Sequence, residues 1–185
     1  MTSLENLFRD YEVQVEAQRM RDYEYDAQEL RALELSKVTL LDRLAAQRGQ
    51  RLTVHGSTGD IWRGQLVDLG LGWVHLSTES GEVLVPTSQL IWWEGGDYKS
   101  ELAGSSVTRK LTFASALRAL AAGRREVQVV HTSAPGLMSE GLVVAVGADY
   151  CDLLLISGRQ LGQQAGRGQV RSLPLGSVAA VRIRN

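Results

Sequence analysis

The chain has 185 residues, of which 44% are hydrophobic, and a formal net charge of −1 at pH 7. This length and apolar content suit one ordinary domain or two small ones and exclude general disorder. The single cysteine, Cys151, excludes a disulfide framework and a cysteine metal site. No apolar run reaches the length of about eighteen residues that predicts a transmembrane helix, and the acidic N-terminus lacks the apolar core of a secretory signal. We therefore expect a cytoplasmic protein that makes no membrane contact.

Charge is distributed unevenly along the chain. Residues 1–37 carry nine acidic and five basic side chains, a net of −4, and residues 38–108 carry eight and five, a net of −3. Residues 109–185 reverse this balance with four acidic and ten basic side chains, a net of +6. Charge that differs between segments is informative about binding partners. Two classes of partner stay open, a protein for the acidic segment and RNA or DNA for the basic one.

Residues 1–37 are predicted to form an acidic helical arm. The segment 3–35 contains no Gly or Pro and is rich in Glu, Gln, Arg, Leu and Ala, which favour a helix. Leu4, Leu7 and Tyr11 recur at helical spacing on one face. Such a helix either packs on the rest of the chain or binds a partner. These three side chains are therefore candidate protein-interface residues.

From residue 39 onward the sequence repeats itself. Residues 39–94 and 111–184 carry the same landmarks in the same order, with an offset that grows from 73 through 77 to 88. The offset grows between landmarks, where insertions into loops are expected. A repeat of this length indicates two copies of one structural unit. The matched residues are Thr39 and Thr112, Leu44 and Leu117, Gly64 and Gly141, Gly70 and Gly147, Trp73 and Tyr150, Leu76 and Leu153, and Pro86 and Pro174.

Each copy is predicted to form a short helix followed by about five strands. Gly64 lies inside the second strand, where glycine permits a sharp bend or a close backbone approach. The first unit is assigned to residues 38–98, a linker to 99–110 and the second unit to 111–185. In the first unit, alternating apolar residues and turn signals predict strands at 52–54, 61–67, 73–77, 82–86 and 90–93.

Two apolar motifs surround the glycine of each second strand. The first unit reads GQLVDLGLGWVHL and then VLVP, and the second reads GLVVAVGADYCDLLL, then RSLP and SVAAVRI. This order of helix and strands resembles the Sm-like barrel family, and the pattern also suits other SH3-like barrels. The resemblance implies a mainly β fold with an N-terminal α-helix. Behind that helix it implies two tandem Sm-like (SH3-like) five-stranded barrels, each preceded by a short helix.

The resemblance does not extend to an RNA-binding pocket. RNA-binding bacterial members of the family carry a basic-aromatic tripeptide between the fourth and fifth strands. The matching positions here are 85–87, which read VPT, and 173–175, which read LPL. Neither tripeptide supplies a lysine, a histidine or an aromatic ring. That activity is therefore not carried over from the family.

The sequence contains no constellation of residues that predicts catalysis. His55, His75 and His131 lack neighbours at metal-ligand spacing, and we expect His55 and His131 to meet solvent at the ends of first strands. Cys151 lies in an apolar run and is expected to be a buried small hydrophobe. No strand-turn-helix nucleophile motif and no phosphate-binding glycine loop are present. We expect a protein that is not an enzyme, with no catalytic residues, no cofactor and no metal site.

The second unit offers candidate contacts for RNA or DNA. From Leu153 to the C-terminus there are five arginines and no acidic residue. Arg159 and Arg167 lie in a Gly- and Gln-rich insert, and Arg171 follows it. Arginines on an adaptable loop can contact phosphates. The alternative is an inert solvated loop, which is the more common case for basic loops.

Adjacent tryptophans near the end of the first unit offer a candidate protein interface. Trp92 and Trp93 follow each other in a strand, so their side chains point to opposite faces. The matching strand, 178–181, is apolar on both faces and is normally sandwiched. We expect both strands to be covered within the chain, by the opposite barrel first and otherwise by the N-terminal helix, with a partner protein as the alternative. The leading hypothesis is an interaction or adaptor protein, the second an RNA- or DNA-binding regulator, and the oligomeric state stays open.

Overall fold

The computed structural model describes residues 3–101, 110–133, 136–156 and 168–184. Contacts divide the chain into two compact units, Met1–Thr39 and Leu40–Asn185. The helices are α1 (Ser3–Leu35), α2 (Leu40–Ala45) and α3 (Phe113–Ala122). The strands are β1 (Arg51–Gly56), β2 (Ile61–Gly70), β3 (Trp73–Thr78), β4 (Gly81–Pro86), β5 (Leu90–Gly95), β6 (Glu126–His131), β7 (Met138–Val146), β8 (Tyr150–Leu155), β9 (Val170–Pro174) and β10 (Val178–Ile183). Most of the predicted linker and of the Gly- and Gln-rich insert lies outside the described residues.

The ten strands form a single antiparallel sheet. Their order is β5-β1-β2-β3-β4-β10-β6-β7-β8-β9, so β5 and β9 are its edges and the sheet is not closed within the described residues. The prediction of a mainly β fold with an N-terminal helix is confirmed. We call strands β1 to β5 (residues 51–95) the first repeat and strands β6 to β10 (residues 126–183) the second repeat.

Glycines at matching places show why the two repeats bend alike. Gly64 of β2 approaches the backbone of Ser77 so closely that a Cβ atom would overlap its carbonyl oxygen. Gly141 of β7 approaches Leu154 in the same way. The predicted close backbone approach at the second-strand glycine is therefore confirmed in both repeats, and it requires glycine because only glycine lacks Cβ.

Even the irregularities of the pairing recur. The register between β2 and β3 shifts between Leu66 and Asp68, and the register between β7 and β8 shifts at the equivalent point, between Val143 and Ala145. A second shift interrupts the pairing of β1 with β5 and of β6 with β10 alike. Shifts of this kind bend a strand and increase its local twist. The sequence repeat is thus a repeat of backbone geometry.

The two hydrophobic cores interlock where the repeats meet. The core of the first repeat includes Val130, Ala179 and Ala180 from the second repeat. The core of the second repeat includes Trp73 and Leu84 from the first. Each repeat thus supplies apolar side chains to the other's core. We therefore treat the joint between the repeats as a packed interior.

The short helix before the second repeat covers its strands. Leu117 of α3 is buried in the second core, and α3 lies against β7. The helix begins at a capped position, because Thr112 Oγ1 accepts a hydrogen bond from Ser115 N at 3.3 Å. Trp73 Nε1 donates to Leu111 O at 2.8 Å, which ties this helix start to the first repeat.

Candidate interaction surface

Strand β10 is covered by the first repeat. It pairs with β6 of its own repeat on one edge and with β4 on the other, where Val181 is opposite Leu84. All four side chains of 178–181 are almost completely buried. The expectation that the opposite half of the molecule covers this apolar strand is confirmed.

Strand β5 occupies the equivalent position in the first repeat but has one uncovered edge among the described residues. Ile91 is 54% exposed and Trp92 is 50% exposed, whereas the equivalent Ala179 and Ala180 of β10 are 1% and 0% exposed. The prediction that the opposite barrel covers Trp92 is therefore wrong. The physical reason is the strand order, which places β5 at the edge of the sheet and β10 at its centre.

The two tryptophans of β5 take opposite roles. Trp93 is half-buried and packs against the first core. Trp92 lies on the opposite face and stacks on His55, with ring centroids 4.7 Å apart and an interplanar angle of 25°. Alternation along the strand therefore sends one indole inward and the other outward, as predicted.

A groove of about 530 Å³ runs along the exposed side of β5. Its walls include Trp92, Glu94, Tyr98 and Arg43 of α2. Arg43 Cζ lies 5.6 Å from the centroid of the Tyr98 ring, within the range of a cation–π contact. His55 Nε2 lies 3.7 Å from Glu94 Oε1. The groove thus combines aromatic surface with two acidic side chains, Glu94 and Asp97, and one basic side chain, Arg43.

Gln47 positions the turn that follows β5, a role that the sequence analysis missed. Its side chain is completely buried, Nε2 donates to Asp97 O at 2.9 Å, and Oε1 accepts from Asp97 N at 2.8 Å. Gly96 leaves the space that this amide occupies. The available sequence signal is that Gln47 follows the apolar Leu44 by three residues, although the structure places it in the turn just beyond α2.

The opposite edge of the sheet is β9. Val170 is 51% exposed there. Arg171 is half-buried, and its Nη1 lies 3.5 Å from Ser139 Oγ. Among the three candidate nucleic-acid contacts, Arg171 therefore lies in a strand, with its side chain directed toward Ser139 of β7. Arg159 and Arg167 fall outside the described residues.

A buried histidine lies beside Arg171. His131 Nε2 shares a hydrogen bond of 2.9 Å with Ser139 Oγ, and both residues are more than nine-tenths buried. Burial first, and then the positive charge of Arg171, lower the pKa of His131. The expectation that His131 meets solvent is wrong, because the hairpin folds it into the interior. By strand register the equivalent of His55 is Val130, not His131.

Helix α1 presents a second exposed surface. Tyr11 is 66% exposed, and the side chains of Leu4 and Leu7 lie outside the described part of the structure. Further along the helix the exposed large apolar side chains are Met20, Tyr23, Tyr25, Leu30, Leu33 and Leu35. A shallow groove on this helix is lined by acidic and apolar residues, including Asp26, Glu29, Leu30 and Leu33.

The cysteine and the possible metal ligands were the remaining groups to locate. Cys151 is buried, as expected, and burial together with the nearby charge of Asp152 raises the pKa of its thiol to about 11. No cluster of three or more His, Cys, Asp or Glu side chains that could hold a metal ion occurs in the described ranges. None of the helices, as far as they are described, is both long and apolar enough to cross a membrane. No protein-family model, curated protein or solved structure matches this chain.

Proposed function

We propose that this chain is a non-enzymatic interaction or adaptor protein that needs no cofactor and acts in the cytoplasm. It consists of two tandem small barrels of the Sm-like (SH3-like) type and uses α1 as a docking arm. The observation that carries the proposal is the exposure of large apolar side chains along α1. Leu30 and Leu33 adjoin each other in one groove beside Asp26 and Glu29, and adjoining exposed apolar side chains with a polar rim are typical of protein-binding sites.

The barrel assignment is supported by the repeated strand order and by the bends. Each repeat has the order of a fifth strand followed by strands one to four, β5-β1-β2-β3-β4 and β10-β6-β7-β8-β9. Gly64 and Gly141 allow close strand contact at the same place in both repeats. Register shifts follow these glycines at equivalent points. Such shifts and glycine bends are what strongly curved small sheets require.

The chemistry of α1 narrows the kind of partner. The helix has 33 residues and is therefore about 50 Å long at the standard rise. Leu30 and Leu33 are exposed beside Asp26 and Glu29, and residues 1–37 carry a net charge of −4. An apolar helix face bordered by carboxylates suits a partner protein whose apolar groove has a basic rim.

The proposal is tested by comparing proteins captured by the full chain and by two variants. The variant Leu30→Ser/Leu33→Ser removes apolar surface from the groove near the C-terminal end of α1. The matched control, Gln18→Ser/Gln28→Ser, changes two exposed polar positions of the same helix. We expect the leucine variant to lose at least about tenfold in partner affinity, because burying each leucine side chain in a partner's groove contributes about 1.5–3 kcal/mol. Equal capture by all three proteins would contradict the proposal.

The second candidate is an RNA- or DNA-binding regulator acting through the basic second repeat. The net charge of +6 over residues 109–185 favours it. Against it, Arg182 lies 2.9 Å from Asp60 and Arg184 lies 3.2 Å from Glu140. These two guanidinium groups already neutralise carboxylates, which weakens the case for Arg182 and Arg184 as phosphate contacts.

A further inference from the structure

We propose that strand β9 of one chain pairs antiparallel with strand β5 of a second copy, so that chains join head to tail. This inference goes beyond the proposed function, because it concerns strands β5 and β9 and not the helical arm α1. The template for the contact lies inside the chain, where β10 pairs with β4.

The four strands correspond by position. β5 and β10 are the fifth strands of their repeats, since Trp93 is opposite Val54 of β1 and Val181 is opposite Val129 of β6. β4 and β9 are the fourth strands, and each ends at a proline. The internal joint therefore pairs a fourth strand with a fifth strand. Within the described sheet, one fifth strand (β5) and one fourth strand (β9) have no neighbour on their outer edge. The same pairing between two chains would give each of them a neighbour.

Both unpaired edges expose apolar side chains. Trp92 and Ile91 on β5 and Val170 on β9 are each about half exposed. In the internal joint, the residues equivalent to Ile91 and Trp92 are Ala179 and Ala180, which are buried. An uncovered strand edge with apolar side chains is a template for another strand. The larger side chains of β5 give a second chain more apolar area to bury.

Charge complementarity identifies this second strand as β9. In the internal joint, Arg182 of β10 is opposite Val83 of β4. The equivalent residues are Glu94 of β5 and Arg171 of β9. Directly opposite residues of antiparallel strands lie on one face, where opposite charges stabilise the pairing. The register of the internal joint thus places an acid opposite a base between chains.

The internal joint also carries an ion pair, whose acid, Asp60, lies in the turn between β1 and β2 and not in β4. Arg182 Nη2 lies 2.9 Å from Asp60 Oδ1 across the joint. In the proposed contact, Glu94 takes the place of Arg182, and Arg171 supplies the positive charge. Each contact therefore joins one acid and one base. A strand from an unrelated protein would not be expected to place an arginine opposite Glu94, so this match favours a second copy of the chain.

The proline at the end of β9 does not block the contact. The internal joint uses residues 82–84 of β4, and Pro86 lies beyond them. The equivalent segment of β9 is 170–172, and Pro174 lies beyond it in the same way. Proline is compatible with strand pairing where its missing N–H is not needed.

Because β5 and β9 are different surfaces, the contact is heterologous. A heterologous contact produces a closed ring if its rotation closes and an open filament if it does not. Either assembly carries one α1 arm per chain and so presents several arms to a partner at once. Several linked arms raise the avidity for a multivalent partner without any new contact.

The test uses charge reversal in the full chain, with mass measured by sedimentation equilibrium at about 100 µM, a concentration that detects the moderate affinities of small interfaces. We expect the wild-type protein to form species above the 20.3 kDa of one chain. Glu94→Arg alone and Arg171→Glu alone should each weaken assembly at least about tenfold, because each places like charges opposite one another. An equimolar mixture of the two variants, and the double variant Glu94→Arg/Arg171→Glu, should both recover it.

Matched controls separate this contact from a general effect of charge. Arg63→Glu and Glu126→Arg change exposed strand residues elsewhere in the same sheet, and both should assemble like the wild type. Circular dichroism checks that every variant is folded. The proposal is overturned if the wild-type protein is monomeric at that concentration, if either single variant assembles normally, or if mixing the two variants restores nothing.

The same variants distinguish failure of this inference from failure of the proposed function. Leu30→Ser/Leu33→Ser should assemble like the wild type, and Glu94→Arg should keep partner capture through α1. If the wild-type protein does not assemble but still captures its partner through α1, only the head-to-tail contact is overturned. Normal assembly without α1-dependent capture overturns the docking arm alone.

Discussion

Arg182 Nη2 lies 2.9 Å from Asp60 Oδ1, although 122 positions separate the two residues along the chain. Arg182 belongs to β10, and Asp60 lies in the turn between β1 and β2. The guanidinium also donates to Gln128 Oε1 at 3.2 Å through Nη1. One side chain of the second repeat thus contacts both repeats next to the β4–β10 pairing.

Removing this ion pair should weaken the joint between the repeats by a modest amount. Both side chains are partly exposed, so we expect Arg182→Ala to lower the free energy of unfolding by about 0.5–1 kcal/mol. In a double-mutant cycle with Asp60→Ala, the two losses should not add, because each variant removes the same contact. Arg184→Ala is the control, since Arg184 is more exposed and its partner Glu140 belongs to the same repeat. Strictly additive losses in urea unfolding would contradict the pairing.

Gln47, which joins the end of α2 to the turn after β5, should be a sensitive polar residue. The change Gln47→Leu leaves the backbone N–H of Asp97 without its acceptor and should lower the free energy of unfolding by about 1–3 kcal/mol. Gln50→Leu is the matched control, because Gln50 is exposed close by. Urea denaturation measures both variants. A loss for Gln47→Leu no larger than that of the control would show that the amide is dispensable.

His131 should make stability depend on pH in the mildly acidic range. Burial, and then the charge of Arg171, lower its pKa from the ordinary 6.5, so the unfolded chain binds the proton first. The contribution of neutral His131 to the free energy of unfolding is therefore fully present above pH 6.5. This contribution is lost as the pH falls from 6.5 toward the lowered pKa. We expect the urea midpoint of the wild type to fall across that window and the fall to be smaller in His131→Gln. Identical pH profiles for the two proteins would refute this assignment.

The adaptor proposal and the nucleic-acid alternative differ in a binding assay at low salt. We expect neither the full chain nor a truncation lacking residues 1–35 to retain a single-stranded RNA or a duplex DNA probe. The alternative predicts retention that weakens steeply with salt, because arginines would displace condensed counterions. It also predicts that Arg159→Ala/Arg167→Ala/Arg171→Ala weakens retention without unfolding the protein. Retention with these two properties would replace the adaptor proposal.

The sequence by itself determined the elements and the duplication, because both are encoded locally. A segment without Gly or Pro predicted α1, and the structure has a helix there. Alternating apolar residues and turn signals located the strands of the first repeat to within a few residues. The matched glycines Gly64 and Gly141 predicted two copies of one unit. In the structure each lies similarly close to the backbone of the next strand, an approach that the absence of a Cβ atom permits.

Only the tertiary structure decided which apolar strand is covered. Residues 90–93 and 178–181 are apolar on both faces, so their local patterns do not distinguish a central strand from an edge strand. The pairing of β4 with β10 buries one of them and leaves Trp92 at an edge. Gln47 was missed for the same reason, because its partner Asp97 lies 50 positions away. A side chain's neighbours across a sheet are set by long-range pairing, which local periodicity does not record.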